Sequence, residues 1–94
     1  NEKTASVKDF VFKGFNLYPN PSNGTFNLEF DVVNSGKVSV QIFDIIGVLV
    51  VEKNFYTNSS KFSKSISFSK ASRGLYVLKI RNDDKQMTQK LIIQ

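Results

Sequence analysis

Along Thr25–Asp31 the apolar side chains Phe26, Leu28 and Phe30 alternate with Asn27 and Glu29, and along Lys37–Phe43 Val38, Val40 and Ile42 alternate with Ser39 and Gln41. A period of two sends successive side chains to opposite faces of an extended chain, so each stretch predicts a strand with one face on a core and one in water. Leu75–Arg81 repeats the pattern with Tyr76, Leu78 and Ile80. Val48–Lys53 is a nearly continuous β-branched and aliphatic run, which predicts a strand covered on both faces. In Lys61–Ser69 the residues Phe62, Ile66 and Phe68 share one side, and Ser63, Ser65, Ser67 and Ser69 share the other. Lys64 falls on the apolar side, so either it snorkels at a sheet edge or a bulge resets the register. The run Gln86–Gln94 ends in Leu91-Ile92-Ile93 and is expected to close the sheet.

Turn residues separate these runs. Asp44-Ile45-Ile46-Gly47 has Asp first and Gly fourth, the preference of a type I turn between two strands. Asn34-Ser35-Gly36 and Asn82-Asp83-Asp84 link the strands beside them, and Asn58-Ser59-Ser60 opens a looser connection. Gly74 stands just before a strand, and Lys70-Ala71-Ser72-Arg73 has room for one helical turn at most. Strands at short spacing with no helix between them predict an all-β sandwich or barrel. Asn1–Ser6 is polar and reads as linker, whereas Val7, Phe10, Val11, Phe12 and Phe15 are too apolar for a free tail. That second group either forms a first strand or packs on the sandwich in place of one.

The 94 residues hold one small domain. Without Cys, neither disulfides nor thiolate metal sites contribute to it. The longest apolar run, Val48–Val51, is far below the roughly 20 residues of a membrane-spanning helix, so no membrane-spanning segment is expected. No basic stretch followed by an apolar one opens the sequence, which reads as the excised end of a larger protein. The net charge of +5 is uneven: Asn1–Ser60 carries five Lys and six acidic residues, while Lys61–Gln94 carries six Lys and two Arg against Asp83 and Asp84. A basic third attracts nucleic acid, acidic head groups or acidic proteins, and lysines on a strand also discourage edge-to-edge aggregation.

Candidate chemistry is sparse. With no His, no serine has a base to activate it, so a nucleophilic triad is excluded. Glu29 and Asp31 share an outward strand face and Asp83-Asp84 sit in a turn, and neither pair is placed to separate its pKa values for acid–base work. No enzyme activity, cofactor or metal site is expected. The sequons Asn23-Gly24-Thr25 and Asn58-Ser59-Ser60 are short patterns that carry no weight alone.

The most informative stretch is Leu17-Tyr18-Pro19-Asn20-Pro21-Ser22-Asn23-Gly24. Its two prolines fix φ and hold Tyr18 and Asn20 extended, and Asn23-Gly24 turns the chain into the Phe26 strand. This motif is followed by Asp44-x-x-Gly47, by Gly74-Leu75-Tyr76, and by Lys90 before an aliphatic run. From about Asn16 to Gln94 the set, in that order, resembles the type A C-terminal sorting domain of the type IX secretion system of Bacteroidetes-type bacteria. The resemblance implies a seven-stranded, immunoglobulin-like antiparallel β-sandwich over residues 15–94, with residues 1–14 joining it to an upstream cargo domain of the same precursor.

The function it implies is that of an export address. The cargo crosses the inner membrane on a separate signal and passes through the periplasm. Shuttle components and an outer-membrane translocon recognise the C-terminal domain, and a sortase-like signal peptidase usually removes it, leaving the cargo on the cell surface or secreted. The residues that match are Pro19, Asn20, Pro21, Gly24, Asp44, Gly47, Gly74, Tyr76 and Lys90. Glycine φ, proline rigidity and core packing of Tyr76 account for most of them structurally. Lys90 is the exception, because Leu91, Ile92 and Ile93 can pack without it, and recognition suits it better. Two other functions are weighed beside this one. An accessory glycan-binding or adhesion module needs exposed aromatics, and only Phe43, Phe55 and Tyr56 are expected near the surface. Nucleic-acid binding needs aromatics interleaved with cations, where Lys61–Ser69 offers serines, so no nucleic-acid partner is expected.

Overall fold

A computed structural model describes residues 10–68 and 72–94. The expectations for Asn1–Ser6 and Val7, and Lys70 and Ala71 of the possible helical turn at Lys70–Arg73, lie outside the described residues. Seven strands form: β1 Asn16–Tyr18, β2 Thr25–Asp31, β3 Gly36–Asp44, β4 Leu49–Thr57, β5 Lys61–Ser67, β6 Gly74–Asn82 and β7 Lys85–Ile93. They make two antiparallel sheets, ordered β1-β2-β5 and β4-β3-β6-β7, with no helix among the described residues. This is one of the two all-β forms that the alternation allows, a sandwich, with the seven strands and immunoglobulin-like character that the resemblance implies.

The period-two faces meet in the middle. Phe26, Leu28 and Phe30 of β2, with Phe62 and Ile66 of β5, are buried in one core with Val38, Val40 and Ile42 of β3. Tyr76, Leu78 and Ile80 of β6 and Met87, Leu91 and Ile93 of β7 complete it. Each such side chain contributes about 1.5–3 kcal/mol by leaving water, which is how a domain this small holds together. Phe10–Phe15 forms no strand. Phe12 is instead buried against Phe30, ring centroids 4.7 Å apart, and the Asp31 amide donates to the Lys13 carbonyl at 2.8 Å. A short β1 leaves this flank open, and the phenylalanine fills it.

Two expectations are corrected. The Val48–Lys53 run is not covered on both faces: it begins β4, an edge strand, and Val48, Leu49 and Val50 are all exposed. Periodicity cannot separate a central strand from an edge strand whose apolar face is open. Phe55 is not a surface aromatic, since it packs against Phe62 at 5.3 Å with its ring edge-on. Tyr56 is exposed, and Phe43 is half-buried under the Lys79 ammonium, 5.8 Å from the ring centroid. At Lys64 the snorkelling alternative holds. The β2–β5 register runs unbroken from Thr25↔Ser67 to Asp31↔Lys61, and the Lys64 ammonium lies 5.9 Å from the Phe55 ring.

Opposite the turn at Asp44, the sheets are tied by Asn82. Its buried side chain accepts from the Val33 and Asn34 amides at 2.9 and 3.0 Å and donates to the Asn34 and Lys37 carbonyls at 2.8 and 3.2 Å. One amide thus satisfies the backbone of the β2–β3 crossover, where no ladder partner exists.

Candidate functional site

The Leu17–Gly24 segment leaves β1, passes Tyr18–Pro19 and Asn20–Pro21 peptides that are both cis, and runs beside β7. Prolines carry no N–H, so this stretch cannot pair as an ordinary strand. The Asn20 side chain supplies the missing pair. Its Nδ2 donates to the Lys90 carbonyl at 3.0 Å, and its Oδ1 accepts from the Ile92 amide at 3.0 Å. Ser22 continues the pairing through its backbone: its amide donates to the Ile92 carbonyl and its carbonyl accepts from the Gln94 amide, both at 2.8 Å. The motif therefore covers the outer edge of β7, which would otherwise present unpaired backbone groups.

Ser22 and Gly24 lock this cover in place. Ser22 is buried, and its hydroxyl donates to the Thr25 carbonyl at 2.9 Å while accepting from the Gly24 amide at 3.0 Å. Gly24 has φ +116°, and a Cβ there would lie 3.0 Å from the Phe68 carbonyl oxygen. Glycine is required on both counts.

Asp44 builds the β3–β4 turn on itself. Its Oδ1 accepts from the Ile46 and Val48 amides at 3.0 and 2.9 Å, and its carbonyl accepts from the Gly47 amide at 3.0 Å. Gly47 takes φ +94° to close the loop. With the backbone satisfied inside the turn, Ile45 and Ile46 are left projecting from it. Gly74 opens β6 opposite Ile93. Tyr76 is buried edge-on against Phe68, centroids 5.1 Å apart, and its hydroxyl donates to the Ser72 carbonyl at 2.7 Å, fixing the chain as it enters β6.

Lys90 is exposed, next to buried Leu91, so its side chain stands on the outer face of the four-stranded sheet. Val77 is its partner across the ladder, and Phe43 is the partner of Val77.

The structure thus gathers the nine sequence-named residues at one end of the sandwich. Asn20 meets Lys90, Gly24 meets Phe68, Phe68 meets Tyr76, Tyr76 pairs with Asp44 and Gly74 pairs with Ile93. Sequence reasoning missed Ser22, which carries both a buried hydroxyl and the backbone pairing. Its position after Pro21 was the available signal. It also missed the outward apolar residues Leu75 and Ile92, legible as hydrophobic positions on the wrong parity of β6 and β7.

The outward carboxylates have other occupations. Glu29 Oε2 accepts from the Tyr18 hydroxyl at 2.7 Å, and this bond, with lesser help from burial and from the Glu29 charge, raises the Tyr18 pKa above the usual phenol value. Asp31 pairs with Lys61 at 3.3 Å. Glu29 and Asp31 are thus each held by a different neighbour.

Residues 16–94 match the family described as the secretion system C-terminal sorting domain. The chain is also 31% identical over 91 residues to ulvan lyase NLR42 of Nonlabens ulvanivorans, an alignment covering 96% of this chain and 16% of that protein. The chain therefore spans about a sixth of the length of that relative. With the sandwich and the motif end already in view, the family match shows that the chain belongs to the C-terminal sorting domains of the type IX secretion system.

Proposed function

We propose that this sorting signal directs an upstream cargo through the periplasm to the type IX outer-membrane translocon, and that a sortase-like peptidase then separates it from the cargo at the cell surface. The domain does no chemistry of its own on this reading. Whatever activity the whole protein has resides in the rest of the precursor, as the size of the ulvan lyase relative allows. The observation that carries the reading is the convergence of all four motifs on one end of the sandwich, where Asn20 is bonded to the backbone of Lys90 seventy residues later. Dispersed turns would need no such meeting. It presents Lys90 on a rigid, edge-covered strand, as a recognition surface requires. A glycan platform is not favoured, because the exposed rings Tyr18 and Tyr56 stand on different sheets and Phe55 is turned into the core.

The test is a reporter carrying an N-terminal export signal and this chain at its C-terminus, placed in a host with a type IX system. The intact fusion is expected in the medium or on the surface, and the fusion lacking Lys90–Gln94 in the periplasm. Circular dichroism of both separates lost recognition from lost folding. Periplasmic retention of the intact fusion would defeat the proposal.

A further inference from the structure

The motif end carries more apolar surface than folding accounts for. Ile45 and Ile46 in the β3–β4 turn are 72% and 81% exposed, and Val48 is 51% exposed. Leu49 and Val50 open β4, beside Phe43, where the β3–β4 register shifts after Ile42. Leu75 of β6 and Ile92 of β7, partners across the ladder, extend the same surface over the outer face. Together these side chains expose several hundred Å², and the largest apolar patch on a typical monomer is only about 300–600 Å² and is often functional. The scale approaches the roughly 800 Å² that each partner contributes to a standard protein interface. Cations border it: Lys79 lies over Phe43, Lys90 pairs with Val77 and precedes Ile92 by two residues, and Arg73 is exposed just before Gly74.

We propose that this surface, Ile45-Ile46 with Val48, Val50, Leu75 and Ile92, is the docking face of the sorting domain. Its occupant is a protein whose contact surface has an apolar centre and carboxylates placed to meet Lys79, Lys90 and Arg73. The inference rests on the sorting reading and gives it a place on the molecule. Charge selects the occupant. A second copy of the chain would bring the same three cations against themselves, in a molecule already carrying +5. Lys79 lies across from Gln41 and Thr88 and Lys90 on the outermost strand, so the cations border the apolar centre, the places where the polar rim of a protein partner sets its carboxylates. The turn backbone is satisfied by Asp44, so the two isoleucines are presented on a preformed support, which lowers the ordering cost of binding.

The fusion reporter tests it with two variants. Ile45→Asn/Ile46→Asn removes the apolar centre, and Lys79→Glu/Lys90→Glu reverses the charge. All four positions lie outside the core, so both variants are expected to melt within a few degrees of the intact chain. Each is expected to cut export at least tenfold, with the reporter accumulating in the periplasm, while Tyr56→Ser at the far end of the same sheet is exported normally. Export of both variants at the intact level overturns the inference and leaves the sorting reading standing. Failure of the intact fusion strikes the sorting reading itself. Should the isoleucine variant unfold, the charge variant alone decides. Two further results overturn the assignment of partner. One is sedimentation showing a dimer of the chain that Ile45→Asn/Ile46→Asn dissociates. The other is co-sedimentation with phosphatidylglycerol–phosphatidylcholine vesicles that the same variant abolishes.

Discussion

Replacing Asn20 by alanine removes a side chain that acts as a peptide group. Two hydrogen bonds are lost, to the Lys90 carbonyl and from the Ile92 amide, each 3.0 Å long. A net contribution of about 0.5–1.5 kcal/mol per bond applies. Asn20 is exposed, so water replaces part of what is lost, and the full penalty of a buried orphan does not arise. The expected cost is therefore about 1–2 kcal/mol, or roughly 5–15 °C in melting temperature for a domain of this size. Heat alone does not identify the bond, so the decisive readout is residue-resolved amide exchange. The Ile92 amide is expected to exchange about 5–30 times faster in Asn20→Ala, with the neighbouring Leu91 amide, paired within the sheet, changing only with global stability. Asn20→Asp keeps an acceptor for Ile92 but sets a carboxylate oxygen against the Lys90 carbonyl, so it should restore only part of the Ile92 protection. Unchanged exchange at Ile92, with an unchanged melting temperature, would refute the assignment of Asn20 as the cover of the β7 edge.

Gly24→Ala should destabilise by at least about 2 kcal/mol, because the new Cβ meets the Phe68 carbonyl at 3.0 Å in a backbone at φ +116°; an unaltered urea midpoint would contradict this. Asn82→Ala removes four part-buried hydrogen bonds, at a net of about 0.5–1.5 kcal/mol each. A total near 3 kcal/mol or above is expected by denaturant unfolding, and a loss below 1 kcal/mol would show that water substitutes freely. Tyr18 should titrate above the ordinary phenol range, and Glu29→Gln should return it towards that range in an ultraviolet titration of tyrosinate. The folded-state pKa is the raised one, so this contact stabilises fully below pH 10.0 and is lost as pH rises through the folded value.

How much of this the residues disclosed depends on which force placed each one. The strands at Phe26–Phe30, Val38–Ile42 and Tyr76–Ile80 are legible because a half-buried strand writes its burial into alternate positions. Asp44-x-x-Gly47 is legible because its hydrogen bonds close within five residues. β4 misleads for the opposite reason. Its Leu49-Val50 pair has the composition of a central strand, yet neighbours far along the chain set its place at the edge. β1 is invisible, being three residues held by pairing with Glu29, Leu28 and Asn27. At the site, the prolines and glycines announce a rigid elbow, but nothing local says that Asn20 will reach Lys90. That meeting depends on the whole topology, because Asn20 lies before the first long strand and Lys90 within the last.

The cellular location of the reporter fusion, in two hosts that differ only in the outer-membrane translocon, tests whether this chain acts as a type IX sorting signal. The folded fusion is expected to leave the cell when the translocon is present and to stay in the periplasm when it is absent. Equal release from both hosts, or retention in both, would contradict that role.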